Sequence, residues 1–140
     1  MKIKQIAEDY EIKLINVTVN NIKRICKEYG IKETELINNA MILYNDTILL
    51  GIYDNKNLRL GAFFHELGHT QINKGFLELI DNIFILIEYQ AWIEGLKIAK
   101  KYGYKFNTEI YDYILNSIHS YYGCNVKYDL NEKEKNTNKT

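Results

Sequence analysis

In "FFHELGHT", Phe63 to Thr70, two histidines stand four residues apart around a glutamate, in a chain that has only three histidines altogether. Residues four apart share a face of an α-helix, so the imidazoles of His65 and His69 can reach one metal ion at about 2.0–2.1 Å from each ring nitrogen. Glu66 lies one position on, about 100° around the axis. It is too far round to be a third ligand of the same ion and is placed instead to touch a water beside it.

These residues spell HExxH, the pattern of zinc peptidases. The competing reading is a pair of satisfied histidines on the surface of an ordinary helix. Two of the three histidines falling in register around a glutamate, on a segment that follows a hairpin pattern, favour the metal. Leu67 and Gly68 fill the gap sensibly: leucine can face a core, and a mid-helix glycine, costing about 1 kcal/mol of helix propensity, lets a neighbouring backbone or a substrate come close. Phe63 and Phe64 supply apolar support behind the first histidine.

A catalytic zinc takes three protein ligands and keeps one position open. A third histidine six residues past the second is excluded, because Ile72 and Gly75 occupy the positions where that motif needs glycine and histidine. A glutamate on the following helix is the other common solution, and "EYQAWIEG" offers Glu88. Ala91, Trp92 and Gly95 fall three, four and seven residues after it, making one stripe whose small members allow close helix packing. Glu94 points to another face, Glu78 and Asp81 follow the loop closely, and His119 is remote in sequence; these remain the alternatives. Trp92 itself reads first as core.

The elements that must hold these groups are legible from periodicity. Val19, Ile22, Ile25, Cys26 and Tyr29 recur at helical spacing, with Thr18 as N-cap and Gly30 as the left-handed terminator. Met41 to Tyr44 and Thr47 to Tyr53 are β-prone runs separated by Asn45 and Asp46, predicting an antiparallel hairpin. Leu58 to Asn73 reads as one helix with Asn57 as N-cap and "NKG" as its end. A second helical region covers Phe76 to Tyr102, with a break near Asn82, and a last helix covers Thr108 to Tyr122, closed by Gly123. The expected class is α+β: mostly helical, with a small antiparallel hairpin or sheet before the HExxH helix. Residues 1–128 form one domain, and the polar tail at 129–140 stays disordered because it cannot bury enough apolar surface to offset its ordering entropy.

Composition narrows the function classes. The 140 residues suit one domain, and 18 Lys and Arg balance 18 Asp and Glu, so no basic field argues for nucleic acid. The longest apolar run, Ile83 to Ile87, is far short of the roughly 20 residues a membrane span requires, and the first residues lack a signal-peptide pattern. A cytoplasmic protein with no membrane partner is expected. Cys26 and Cys124 form no CxxC pair and read as free thiols.

With "FFHELGHT" preceded by a hairpin and followed by "EYQAW", the stretch from Ala40 to Lys100 resembles the gluzincin peptidases, and among them the small ImmA/IrrE metallo-endopeptidases, including short phage and prophage versions. The resemblance implies a zincin-like fold, one zinc held by His65, His69 and Glu88, Glu66 as the catalytic carboxylate, and a protein or peptide substrate such as a phage or host repressor. The chain departs from the family in showing no separate regulatory or helix-turn-helix domain and in the apolar character of the segment between Thr70 and Glu88. On this reading an extended substrate lies along the exposed strand at Thr47 to Tyr53, and His119, Tyr89 or Tyr53 stabilises the oxyanion. Tyr111, Tyr113, Tyr121 and Tyr122 are expected to pack the last helix. The competing class is a phage-type binding module that captures a regulatory protein without cutting it, with zinc structural or absent.

Overall fold

The computed structural model describes residues 2–72 and 83–122, excepting the side chains of 83–86, 115 and 117–122. Helix α1 (Ile3–Asp9) leads into β1 (Lys13–Asn16), α2 (Ile22–Tyr29), a 3₁₀ turn (Glu33–Leu36), β2 (Ala40–Leu43), β3 (Thr47–Leu50), α3 (Lys56–Thr70), α4 (Ile83–Lys101) and α5 (Thr108–Tyr122). This is an α+β architecture, as the sequence patterns predict. No helix among the described residues is long and apolar enough to cross a membrane. α3 ends at Thr70, with Gln71 as its C-cap, three residues short of the "NKG" expected to end it; the expected break near Asn82, the Gly123 terminator and the 129–140 tail lie outside the described residues.

The hairpin forms, but the turn is displaced by one residue. Tyr44 and Asn45 take positive φ, 57° and 64°, and the Asp46 N–H donates to the Leu43 carbonyl at 3.3 Å. A larger departure is the added strand: β1 pairs in parallel with β3 from Lys13↔Thr47 to Asn16↔Leu50. The sheet order is therefore β1-β3-β2, with β2 antiparallel to β3. The expectation of an exposed strand at Thr47 to Tyr53 is corrected. β3 is the buried centre of the sheet, with Ile48, Leu49 and Leu50 at 0% exposure, and it ends at Leu50 because Gly51 squeezes past the Leu36 and Asn39 carbonyls.

Alternation along β3 separates two cores. Ile48 and Leu50 point to the face packed with Ile6, Ala62, Phe63, Phe64, Leu67 and Ile98. Leu49 points to the opposite face and meets Val17, Ile22, Ile25, Cys26 and Leu36. The sheet thus lies between α2 on one side and the α1, α3 and α4 helices on the other.

Helix ends differ from expectation where short polar side chains have competing partners. Asn21, not Thr18, precedes α2. Its Oδ1 accepts the Thr18 N–H at 2.7 Å and its Nδ2 donates to the Asn16 carbonyl at 2.9 Å. Residues 16–21 therefore form a turn and Val19 is left 80% exposed. Gly30 ends α2 as foreseen, with φ 67°. Asn55, not Asn57, caps α3, accepting the N–H groups of Asn57 and Leu58 at 2.8 and 3.1 Å.

The decisive packing is between α3 and α4. A Cβ on Gly68 would lie 2.0 Å from the Ala91 carbonyl oxygen, and one on Gly95 would lie 2.2 Å from that of Phe64. The two helices touch backbone to backbone there, and neither glycine has room for a methyl group.

Alanine ordinarily favours a helix interior over glycine by about 1 kcal/mol. At position 95 the sign reverses: Gly95→Ala is expected to lower stability by roughly 1–3 kcal/mol, read as a lower urea midpoint, because the methyl group has no cavity to enter. A neutral or stabilising Gly95→Ala would show that the helices do not meet in this way.

Candidate metal centre

α3 presents His65 and His69 one turn apart on the side that faces α4, and the close helix contact brings Glu88 to both. His65 Nε2 lies 2.8 Å from Glu88 Oε2, His69 Nε2 lies 3.1 Å from Glu88 Oε1, and the two Nε2 atoms are 3.2 Å apart. Ligands at the corners of a tetrahedron around zinc, each about 2.05 Å from the ion, stand about 3.3 Å from one another. The two imidazole nitrogens already have nearly that spacing, and Glu88 offers a different carboxylate oxygen to each of them. The three residues form the one group of three or more potential ligands among the described residues.

Their protonation suits a cation. Burial pushes the His65 imidazolium down, toward the neutral ring, against the opposing pull of Glu88. Burial works to raise Glu88, but hydrogen bonds from His65 and His69 outweigh it and hold the carboxyl down to about 2. A neutral imidazole and an ionised carboxylate are the forms that bind metals. The donor set, two imidazole nitrogens and one carboxylate, matches the three-ligand zinc sites that keep a corner open.

Trp92, one turn after Glu88, stacks on His65 with ring centroids 4.1 Å apart and an interplanar angle of 27°. His65 Nδ1 is buried with no hydrogen-bond partner among the described residues. Stacking against a buried indole, rather than a hydrogen bond to Nδ1, fixes the plane of this ring. Trp92 is core, as its type suggests, at 3% exposure, and it also orients the site.

These groups open into a cleft of about 330 Å³ lined by Asn39, Ala40, Met41 and Ile42 from β2 and the residue before it, His65, Glu66 and His69 from α3, Glu88 and Trp92 from α4, and Tyr113 from α5. Glu66 shares the cleft with the ligand set, as its position on the helix predicts. Glu94 is engaged with Gln90 and Lys97, at 3.0 and 3.4 Å, on another face. Glu78, Asp81 and the side chain of His119 lie outside the described residues.

Among the tyrosines, Tyr89 is 53% exposed and is not part of the cleft lining. Tyr53 is packed against the core; burial pushes its hydroxyl up, and neighbouring Tyr113 and the charge of Glu66 add to this while Arg59 opposes it. Tyr113 is the tyrosine that lines the cleft, in edge contact with Trp92 at 5.8 Å. Tyr113 also packs against Ile110 and Ile114 of its own helix, as expected, and its place in the cleft is additional. No local spacing could have singled it out, since α5 reaches the cleft only through tertiary packing. Tyr111 from the same group is exposed, and the side chains of Tyr121 and Tyr122 lie outside the described residues.

Trp92 is the chain's one tryptophan, so its fluorescence reports on this centre alone. Titrating the metal-free protein with Co²⁺ is expected to quench Trp92 with an end point near one equivalent. Loss of groups that merely support a ligand costs about 10- to 100-fold in metal affinity, so Glu88→Gln should weaken Co²⁺ by more than that. Unaltered quenching in Glu88→Gln would remove Glu88 from the ligand set.

No protein-family model, no curated protein and no solved structure matches the chain, and its function has to be read from these side chains and the cleft around them.

Proposed function

We propose that the chain is a zinc-dependent endopeptidase of the gluzincin type, zincin-like in fold and similar to the ImmA/IrrE enzymes. The observation that carries the proposal is the meeting of His65, His69 and Glu88 at mutual distances of 2.8–3.2 Å, in a cleft that also holds Glu66. His65, His69 and Glu88 would hold one zinc ion per chain. Zinc in such a site acidifies water toward a pKa of about 7 and polarises a peptide carbonyl.

The chain's own residues supply the rest of the reaction. The Glu66 carboxylate takes the proton that the attacking water gives up and returns it to the departing amine. The charge that develops on the carbonyl oxygen calls for a donor, and Tyr113, whose side chain lines the cleft, is better placed than Tyr53 or Tyr89. Ile48, Phe63, Phe64 and Leu67 are buried beneath the centre and keep its floor dry.

β2 lies at the edge of the sheet and contributes Ala40, Met41 and Ile42 to the cleft. An extended peptide can pair with that edge through main-chain hydrogen bonds, which place its backbone over the centre with little regard to sequence. The strand available for this is β2, because both edges of β3 are occupied. A cytoplasmic phage or host repressor is the substrate that the family resemblance suggests. The competing binding module would use the same cleft without turnover, and a structural zinc would need a fourth protein ligand.

Protein purified without chelator is expected to carry about one zinc and to cleave an unfolded protein such as casein. Glu66→Gln should keep the zinc and lose at least about 100-fold in rate, the lower range for removing a general base. A Glu66→Gln variant as active as the parent would refute the assigned mechanism, and a zinc-loaded parent that cuts neither casein nor a repressor would favour the binding module.

A further inference from the structure

Tyr53 follows β3 and packs its ring against the cluster that holds Ile48, Phe63 and Phe64. Its hydroxyl is buried, with no hydrogen-bond partner at ordinary length among the described residues. A buried phenol usually finds one, so the group calls for a physical account.

Three polar side chains act on the Tyr53 hydroxyl: Tyr113, Glu66 and Arg59. The Arg59 guanidinium is turned to Asn16 Oδ1 at 2.6 Å, and the Glu66 carboxylate is committed to the proton of the attacking water. Tyr113 is left. Its side chain lines the cleft in edge contact with Trp92, whereas Tyr53 has no part in the lining. Of the two phenols, Tyr113 is the one that meets a substrate and Tyr53 the one behind it.

We propose that Tyr53 is a positioning residue for the hydrolysis: its hydroxyl donates to the phenolic oxygen of Tyr113 while Tyr113 donates to the charge that develops on the substrate carbonyl oxygen. This role rests on the peptidase reading, and it adds a residue that touches neither substrate nor metal.

The direction of the bond follows from the surroundings of Tyr53. Burial, then the neighbouring Tyr113 and the Glu66 charge, push its hydroxyl up against the opposing Arg59, so it holds its proton and serves as the donor. Linked hydrogen bonds strengthen one another: a phenol whose oxygen accepts a bond donates more strongly through its own hydrogen. No proton changes owner between the two rings.

The timing follows from the unmatched state of the hydroxyl. In the resting chain the pair is slack, and it tightens once Tyr113 engages a charged oxygen, as catalytic hydrogen bonds commonly do. An interaction made only in the transition state raises turnover without improving the hold on the substrate. One net hydrogen bond of ordinary strength corresponds to roughly 2- to 10-fold in rate.

The test compares the zinc-loaded parent with Tyr53→Phe, Tyr113→Phe and the double variant. Turnover is measured on a casein-derived peptide that the parent cleaves. Calorimetry gives the affinity for the same peptide carrying a phosphinate in place of the scissile amide, a charged mimic of the transition state. Tyr113→Phe is expected to lose at least about tenfold in both. Tyr53→Phe should lose about 2- to 10-fold in kcat and in phosphinate affinity, with KM and zinc content unchanged. Because the hydroxyl it removes is unmatched, its urea midpoint should stay level or rise, where loss of a structural contact would lower it. In the double variant, removal of the Tyr53 hydroxyl should cost nothing beyond Tyr113→Phe.

A Tyr53→Phe chain with the parent's kcat, or one whose loss is the same with and without the Tyr113 hydroxyl, or one that also loses zinc or stability, overturns the positioning role while leaving the peptidase reading standing. A zinc-loaded parent that neither cleaves the peptide nor binds the phosphinate overturns that reading and this role together.

Discussion

One contact governs the arrangement: the crossing of α3 and α4 at Gly68 and Gly95, where each helix backbone rests on the other. Glu88 reaches the two histidines because no side chain intervenes at the crossing. Were a methyl group to hold the helices apart there, the carboxylate would move away from the rings and the distances of 2.8 and 3.1 Å to the Nε2 atoms would no longer hold. Gly68, a poor helix former in the middle of α3, thus sets the geometry of the groups beside it. Ala91 extends the same stripe at 0% exposure and brings the next turn of α4 against α3.

That crossing also determines the electrical character of the centre. Pressing two helices together buries His65 and, less completely, Glu88. Burial alone would neutralise both, the histidine by losing its proton and the glutamate by keeping one. For His65, burial prevails and the ring is biased toward neutrality. For Glu88, the two imidazoles reverse the effect and hold the carboxyl ionised. The result is one partly buried negative charge facing the two imidazole rings. Trp92 completes the enclosure by covering one face of His65, so the ring is held by packing where a hydrogen bond to Nδ1 is lacking.

Much of this is legible in the sequence. Ligands spaced by one helical turn announce themselves because the helix is local, and the stripe of Glu88, Ala91, Trp92 and Gly95 is likewise a local pattern that says which face of α4 is pressed against a neighbour. The hairpin and the three later helices follow from periodicity for the same reason. What the sequence did not disclose depends on partners far along the chain. β1 is a four-residue strand, Lys13–Asn16, and gains its identity only by pairing with β3. Asn21 displaced Thr18 as the residue ahead of α2 because it could bond back to Asn16, and Tyr113 joined the cleft because α5 folds across α4. Propensity could rank Asn55 and Asn57 equally as caps; the hydrogen bonds chose Asn55.

The missed strand changes the functional geometry more than its length suggests. A bare hairpin has two free edges, and β3, the more apolar strand, would offer one of them to an extended peptide. With β1 bound along β3, that edge is closed and the apolar strand becomes the spine of the core. The outer edges are then those of β1 and β2, and β2 is the one whose residues line the cleft. The parallel pairing of a short, polar-ended segment near the N-terminus therefore does two things: it withdraws an aggregation-prone apolar strand from solvent, and of the two edge strands that result it leaves β2 beside the histidines. β2 therefore presents its outer main-chain edge beside His65, His69 and Glu88, where an extended chain has groups to pair with.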